Sequence, residues 1–211
     1  MKPKFLSAVL LLGAVTFSIK AQDQSPGEKP KPPEPSSLRQ LEPAASARMP
    51  SPAEKYFSDV ELINQDGQKM RFYSDVLRDK VVVINTFFTN CTGSCPLMNR
   101  NLEKVQEALG DRLGKDAFLV SMSVDPEIDT PVRLKEYSRR FHARPGWIFL
   151  TGKKENVDWA LYKLGQYVET KDGHTTIIII GNEPKGLWKK AFGLAKADEL
   201  MKIVEDVIND R

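Results

Sequence analysis

Residues 81–96 have the sequence VVVINTFFTNCTGSCP, which predicts a strand, a turn and the start of a helix. Residues 81–88 are mostly apolar or β-branched, which is typical of a strand buried on both faces. A glycine in the following turn and then Pro96 indicate that a helix begins here. We therefore expect Cys91 and Cys95, the two cysteines of the sequence, at a helix N-terminus. Backbone N–H groups and the helix dipole favour thiolate at such a position.

Strand and helix patterns alternate along the rest of the chain. Two short alternating segments on either side of Gly67 predict a β-hairpin before residue 81. Downstream, apolar periodicity and proline positions predict the following elements: strands at about 117–124, 147–150, 174–180 and 187–192, and helices at about 96–109, 131–142, 154–166 and 198–208. This alternation predicts an α/β fold, in which helices flank a central mixed sheet and sites lie at the carboxyl ends of its strands.

The N-terminal residues have a different composition from the rest of the chain. Two lysines precede an uncharged, largely apolar stretch at 5–19, which predicts a signal peptide over 1–21, with a retained membrane anchor as the alternative. Residues 22–52 are rich in proline and poor in large apolar side chains, so we expect a disordered linker. Residues 53–211 are then long enough for one domain with its own core.

Charge and export limit the classes of function. Residues 1–21 hold three of the 31 basic residues and no acidic one, so the remaining chain, with 28 acidic residues, is formally neutral. A neutral surface argues against nucleic-acid binding. We expect an exported protein, either periplasmic or held at the outer face of the inner membrane, with membrane contact only through a retained N-terminal anchor.

Four motifs resemble the Sco/SenC family, thioredoxin-fold proteins implicated in assembling the copper centre of cytochrome oxidase. They are CTGSCP at 91–96, SVDPEIDTP at 123–131, GWIFLTG at 146–152 and DGHT at 172–175. The resemblance extends over most of residues 56–208. It implies a thioredoxin-like fold and a copper site formed by Cys91, Cys95 and His174. Two sulfurs and one imidazole nitrogen suit Cu(I), and thiolates with imidazole also bind Cu(II).

The cysteine pair leaves several functions open. Cys91 and Cys95 are close enough in sequence to chelate one ion or to close a disulfide. The main hypothesis is a copper metallochaperone that delivers metal, or electrons, to the copper-receiving subunit of a respiratory oxidase or to another thiol or copper protein. The alternative is an enzyme, a thiol-disulfide oxidoreductase in which the two cysteines are the catalytic redox pair. A structural disulfide and a thiol peroxidase are the weaker interpretations. The sequence favours the carrier over the oxidoreductase, because thioredoxin-like oxidoreductases use Cys-x-x-Cys, whereas Cys91 and Cys95 are one residue further apart, and residues 146–183 contain no proline.

Three further residues have both a functional and a structural interpretation. Met98 offers a thioether, but we expect it in the core. Asp125 follows a predicted strand and is expected at the same sheet edge, where it either supports the site or fixes a turn. His142, the other histidine, is not predicted to be a ligand, because an interaction with a helix C-terminus explains it.

Overall fold

The computed structural model describes residues 29–31 and 51–209 of the chain. Its strands and helices are, in chain order, α1 (Pro52–Phe57), β1 (Glu61–Asn64), β2 (Lys69–Arg71), β3 (Val81–Phe87), α2 (Ser94–Leu109), β4 (Phe118–Ser123), α3 (Pro131–Arg139), β5 (Trp147–Gly152), α4 (Lys154–Lys163), β6 (Ile177–Asn182), β7 (Leu187–Phe192) and α5 (Ala197–Ile208). A π-helical turn occupies Phe72–Leu77, and short 3₁₀ turns occupy Gly110–Arg112 and Lys171–Gly173.

The seven strands form a single mixed sheet in the order β2-β1-β5-β4-β3-β6-β7. Strands β3, β4 and β5 are parallel to one another, whereas β6 pairs antiparallel with β3. The hairpin β1–β2 extends the other side of the sheet, with β1 antiparallel to β5. The sheet therefore places the carboxyl ends of β3 and β4 beside the start of β6, and this junction is where the cysteine turn and His174 meet.

Strand β3 is buried on both faces, as its apolar run predicts. Val83 and Phe87 pack into a core with α2, α3 and α5, and Val82 and Ile84 pack into a second core with α1, the π-helical turn and α4. Successive side chains of a strand point to opposite faces. One short sequence thus contributes to both hydrophobic layers and fixes the position of the turn that follows it.

The predicted α/β architecture, with its N-terminal hairpin and its mixed sheet covered by helices, is confirmed. Two boundaries were predicted wrongly. Helix α2 begins at Ser94, two residues before Pro96, because Gly93 already adopts the N-cap position. Strand β6 begins at Ile177 and not at His174, since its neighbour β7 ends at Phe192, which pairs with Ile177.

The predicted signal peptide at 1–21 lies outside the described residues, and so does most of the predicted linker at 22–52. The first helix that the structure describes, α1, begins at Pro52, and the domain boundary expected at 53 stays a prediction. Within 29–31 and 51–209, none of the helices combines the length and the apolar character needed to cross a membrane.

Candidate metal centre

The two cysteines lie where β3 passes into α2. Cys91 is in the turn, and its backbone N–H donates to the carbonyl oxygen of Phe88, at 3.1 Å. Cys95 lies in the first turn of α2. The two side chains differ in access, because Cys91 is half-buried and Cys95 is fully buried, with 0% of its surface exposed. Both thiols are free.

His174 completes a three-residue group with the cysteines. It directly follows the 3₁₀ turn at Lys171–Gly173, and its Nε2 atom lies 3.1 Å from Sγ of Cys95. The candidate donor atoms of Cys91, Cys95 and His174 all lie within 4.8 Å of one another. The structure therefore brings together the three residues that the resemblance implies, although His174 is far from the cysteines in sequence.

A hydrogen bond fixes which nitrogen of His174 is available to a metal. Nδ1 lies 2.8 Å from the carbonyl oxygen of Lys171, which can only accept a hydrogen bond, so Nδ1 carries the proton. The lone pair is consequently on Nε2, the atom that faces Cys95. Metal-binding histidines are commonly oriented by such a bond from the other ring nitrogen to a carbonyl. The Phe88 ring packs edge-to-face on the imidazole, with ring centroids 5.3 Å apart.

Asp129 holds the start of the cysteine turn. Its carboxylate is fully buried and accepts hydrogen bonds from the backbone N–H of Thr89, at 3.2 Å, and from the hydroxyl of Thr89, at 2.5 Å. It also accepts a bond from the Ser123 hydroxyl at the end of β4, at 2.6 Å. Thr130, the next residue, is the N-cap of α3, whereas Asp129 joins the cysteine turn to β4.

Burial, and to a lesser degree the hydrogen bond with Cys91, raise the pKa of the Cys95 thiol to about 12. The prediction that the helix N-terminus favours thiolate is therefore wrong for the metal-free Cys95. A helix dipole contributes roughly 0.3–1 kcal/mol at an exposed end, which is less than one pKa unit. Withdrawing the sulfur from water outweighs that contribution, so Cys95 carries a proton at neutral pH.

The donor set fits a soft metal ion. Two thiolate sulfurs and one imidazole nitrogen are ligands that Cu(I) prefers, whereas Ca²⁺ and Mg²⁺ require oxygen. Thiols bind metals as thiolates, so binding displaces the proton of Cys95. The same two sulfurs can also form a disulfide after loss of two electrons and two protons.

The remaining candidate residues lie outside this group. Met98 is fully buried, and its sulfur lies against Gly193, which agrees with the predicted core role. His142 is exposed, and its Nδ1 contacts the Glu103 carboxylate at 2.6 Å, a partner that the sequence did not predict. Asp125 does lie at the expected sheet edge, where its carboxylate accepts a bond from Lys171.

Comparison with known proteins points to one family. The SCO1/SenC family model matches residues 48–209. A SCO2-like protein of Rickettsia conorii is 36% identical over 103 residues, which is 49% of this chain and 48% of the relative. The SCO1 homolog of Bacillus subtilis is 32% identical over 118 residues, which is 54% of this chain and 60% of the relative. The chain thus matches about half the length of these curated relatives.

Solved structures give the same result for the fold. The crystal structure of Arabidopsis thaliana ScoI with copper bound superimposes with a TM-score of 0.60 at 26% identity, covering 72% of this chain and 96% of that one. The crystal structure of a SCO1/SenC family lipoprotein from Bacillus anthracis has a TM-score of 0.60 at 25% identity, covering 71% of this chain and 93% of that one.

Proposed function

Because the chain belongs to the SCO1/SenC family, we propose that it is a copper carrier whose ligands are Cys91, Cys95 and His174. The observation that carries the proposal is the approach of His174 Nε2 to within 3.1 Å of the Cys95 sulfur. The copper-bound structure of the plant relative supports copper over other soft ions. The cargo is copper, and no covalent change of the protein beyond loss of thiol protons is needed to hold it.

Each ligand has a distinct part in this proposal. Cys95 and His174 form the inner side of the site, where one sulfur is buried and one nitrogen is held by the bond from Nδ1 to the Lys171 carbonyl. Cys91 is half-buried and therefore reachable by a ligand from another protein. Stepwise ligand exchange would begin at Cys91, because it is the thiol that an incoming sulfur can approach.

Competition titration of the reduced protein with Cu(I) and a coloured chelator tests the ligand set. We expect one ion per chain, and His174→Ala should weaken binding by more than the roughly 10–100-fold that loss of an outer-shell partner costs. His142→Ala is the matched control, since it removes an exposed imidazole that contacts Glu103 and does not belong to the three-residue group. Equal affinities of the His174→Ala variant and the wild type would refute the proposed site.

We further propose that the protein is exported and delivers copper during assembly of the copper centre of cytochrome c oxidase. Family membership supports the role, and the apolar stretch at 5–19 supports export. Fusion of residues 1–60 to alkaline phosphatase tests export, because that enzyme needs disulfides that form outside the cytoplasm. Deletion of the gene should lower the copper-loaded fraction of the oxidase, and a Cys91→Ser copy should not restore it. Normal oxidase in the deletion strain would exclude the delivery role.

A second candidate function is thiol-disulfide exchange, favoured by the two free sulfurs within 4.8 Å of each other. In that reaction the Cys91 thiolate attacks a partner disulfide, Cys95 displaces the mixed disulfide, and the partner leaves with both cysteines reduced. Two electrons pass to the partner as the Cys91–Cys95 bond forms. Turnover by metal-free protein that is insensitive to His174→Ala would favour this function over copper carriage.

A further inference from the structure

Lys171 links the loop that carries His174 to two other parts of the site. Its ammonium group donates to the Asp125 carboxylate at 2.7 Å, and the same nitrogen lies 5.5 Å from the centre of the Phe88 ring. Phe88 in turn packs on the imidazole of His174. A cation over a ring face is attracted by the ring's quadrupole, so both contacts of the Lys171 side chain are electrostatically favourable.

The backbone of Lys171 holds His174 directly. Its carbonyl oxygen accepts two hydrogen bonds from His174, one from the backbone N–H at 3.2 Å and one from Nδ1 at 2.8 Å. Side chain and backbone of one residue therefore act on the same histidine. Any displacement of the Lys171 backbone moves the acceptor that sets both the orientation and the tautomer of the imidazole.

The other end of the ion pair is anchored to the sheet. The backbone N–H of Asp125 donates to the Ser123 hydroxyl at 3.0 Å, and that hydroxyl donates to Asp129, which also holds Thr89. Asp125 is thus fixed to the same polar group that fixes the cysteine turn. The pair Lys171–Asp125 connects the His174 loop to the scaffold of the two cysteines.

His174 has little other regular structure to hold it. The ladder of β6 begins only at Ile177, and residues 174–176 lie between it and the 3₁₀ turn. The bond from Gly193 N–H to the Thr176 carbonyl oxygen, at 2.7 Å, precedes the ladder. Upstream of this bond, the Thr175 hydroxyl donates to Oε1 of Gln166 at 2.7 Å. The contacts that act on His174 itself are the two bonds to the Lys171 carbonyl and the packing of the Phe88 ring.

We propose that Lys171 is a positioning residue, which holds His174 over the Cys95 sulfur through its ion pair with Asp125. This inference rests on the proposed copper site and adds a residue to it. The Lys171 side chain is 41% exposed and the Asp125 side chain 13%, so their ion pair contributes little to the free energy of unfolding. Its effect on the site is larger, because it restrains one loop. We expect about a tenfold loss of copper affinity without it, the low end for an outer-shell partner.

Lys171→Met and Asp125→Asn remove the ion pair while keeping side-chain size, and Lys171→Arg keeps it. The matched control is Lys135→Met, which breaks a comparable surface ion pair with Asp66, of 43% and 45% exposure, elsewhere on the protein. Two measurements are made on each full-length variant: Cu(I) affinity by competition, and, in a Cys91→Ser background without metal, the rate at which a thiol reagent labels Cys95.

Lys171→Met and Asp125→Asn should each weaken copper binding about tenfold. Each should also speed the labelling of Cys95, because the imidazole then leaves the sulfur more often. Lys171→Arg should keep the copper affinity and the labelling rate of the wild type, and the control Lys135→Met should change neither. Unchanged labelling and affinity in Lys171→Met, or the same change in Lys135→Met, would overturn the inference. If the wild type bound no copper the proposed function would fail, whereas the labelling rates would still decide whether Lys171 holds His174.

Discussion

Replacing Asp129 with alanine should separate the cysteine turn from the end of β4. The substitution removes the acceptor for the backbone N–H of Thr89 and for the hydroxyls of Thr89 and Ser123. Hydrogen bonds to a charged group contribute roughly 1.5–3 kcal/mol each, and a buried donor left without a partner costs about 1–3 kcal/mol. The bonds share one carboxylate and are not additive. We therefore expect the free energy of unfolding to fall by about 3–5 kcal/mol.

Urea denaturation of the metal-free protein, followed by far-UV circular dichroism, measures this change. Asp66→Ala is the control, because Asp66 is exposed at 45% and its ion pair with Lys135 should contribute no more than about 1 kcal/mol. A folded Asp129→Ala variant should also bind copper more weakly, since Thr89 precedes the Cys91 turn. A loss of stability below about 1 kcal/mol for Asp129→Ala, equal to that of the control, would refute the assigned role of this buried carboxylate.

Three further predictions concern the thiol, one glycine and the polar core. The pKa of Cys95 is about 12, and copper binding displaces its proton. The apparent copper affinity should therefore rise at least about 100-fold from pH 6 to 8, and a competition titration with the same affinity at both pH values would contradict this. Gly193→Ala would place Cβ 2.7 Å from the Met98 sulfur, so urea denaturation should show a loss of about 1–3 kcal/mol, in contrast to Gly173→Ala, whose Cβ has ordinary contacts. Asn85→Ala, which removes two buried hydrogen bonds within the sheet and to α2, should lower the free energy of unfolding by about 2–4 kcal/mol, and near-wild-type denaturation would disprove its structural role.

The strands and helices around the site were predictable because their apolar patterns are local. The run at 81–88 is buried on both sides in the structure, and Pro131 begins α3 as its position in the sequence indicates. Helix α1 was missed although Ser51 caps it through a bond from the Glu54 N–H, because the proline-rich composition before it hid the boundary. The family resemblance is confirmed by the match over residues 48–209.

Features that depend on distant partners were not predictable from local pattern. Thr175 and Thr176 favour strand, but the ladder starts only at Ile177 because its partner Phe192 is the last residue of β7. The pKa of Cys95 depends on burial by residues from several elements, which no sequence window contains. Lys171 carries no motif of its own, and its importance follows from the fold that brings Asp125 beside it.

The unequal access of the two sulfurs gives the site a direction. A bulky reagent or a partner protein can meet the half-buried Cys91 first, whereas Cys95 lies beneath the surface and against His174. In both proposed functions, copper carriage and disulfide exchange, an incoming group reacts first with the Cys91 sulfur. The Cys95 sulfur then acts second, from within the same molecule. Alkylation of Cys91 alone should therefore block both reactions while leaving the Cys95 thiol unmodified.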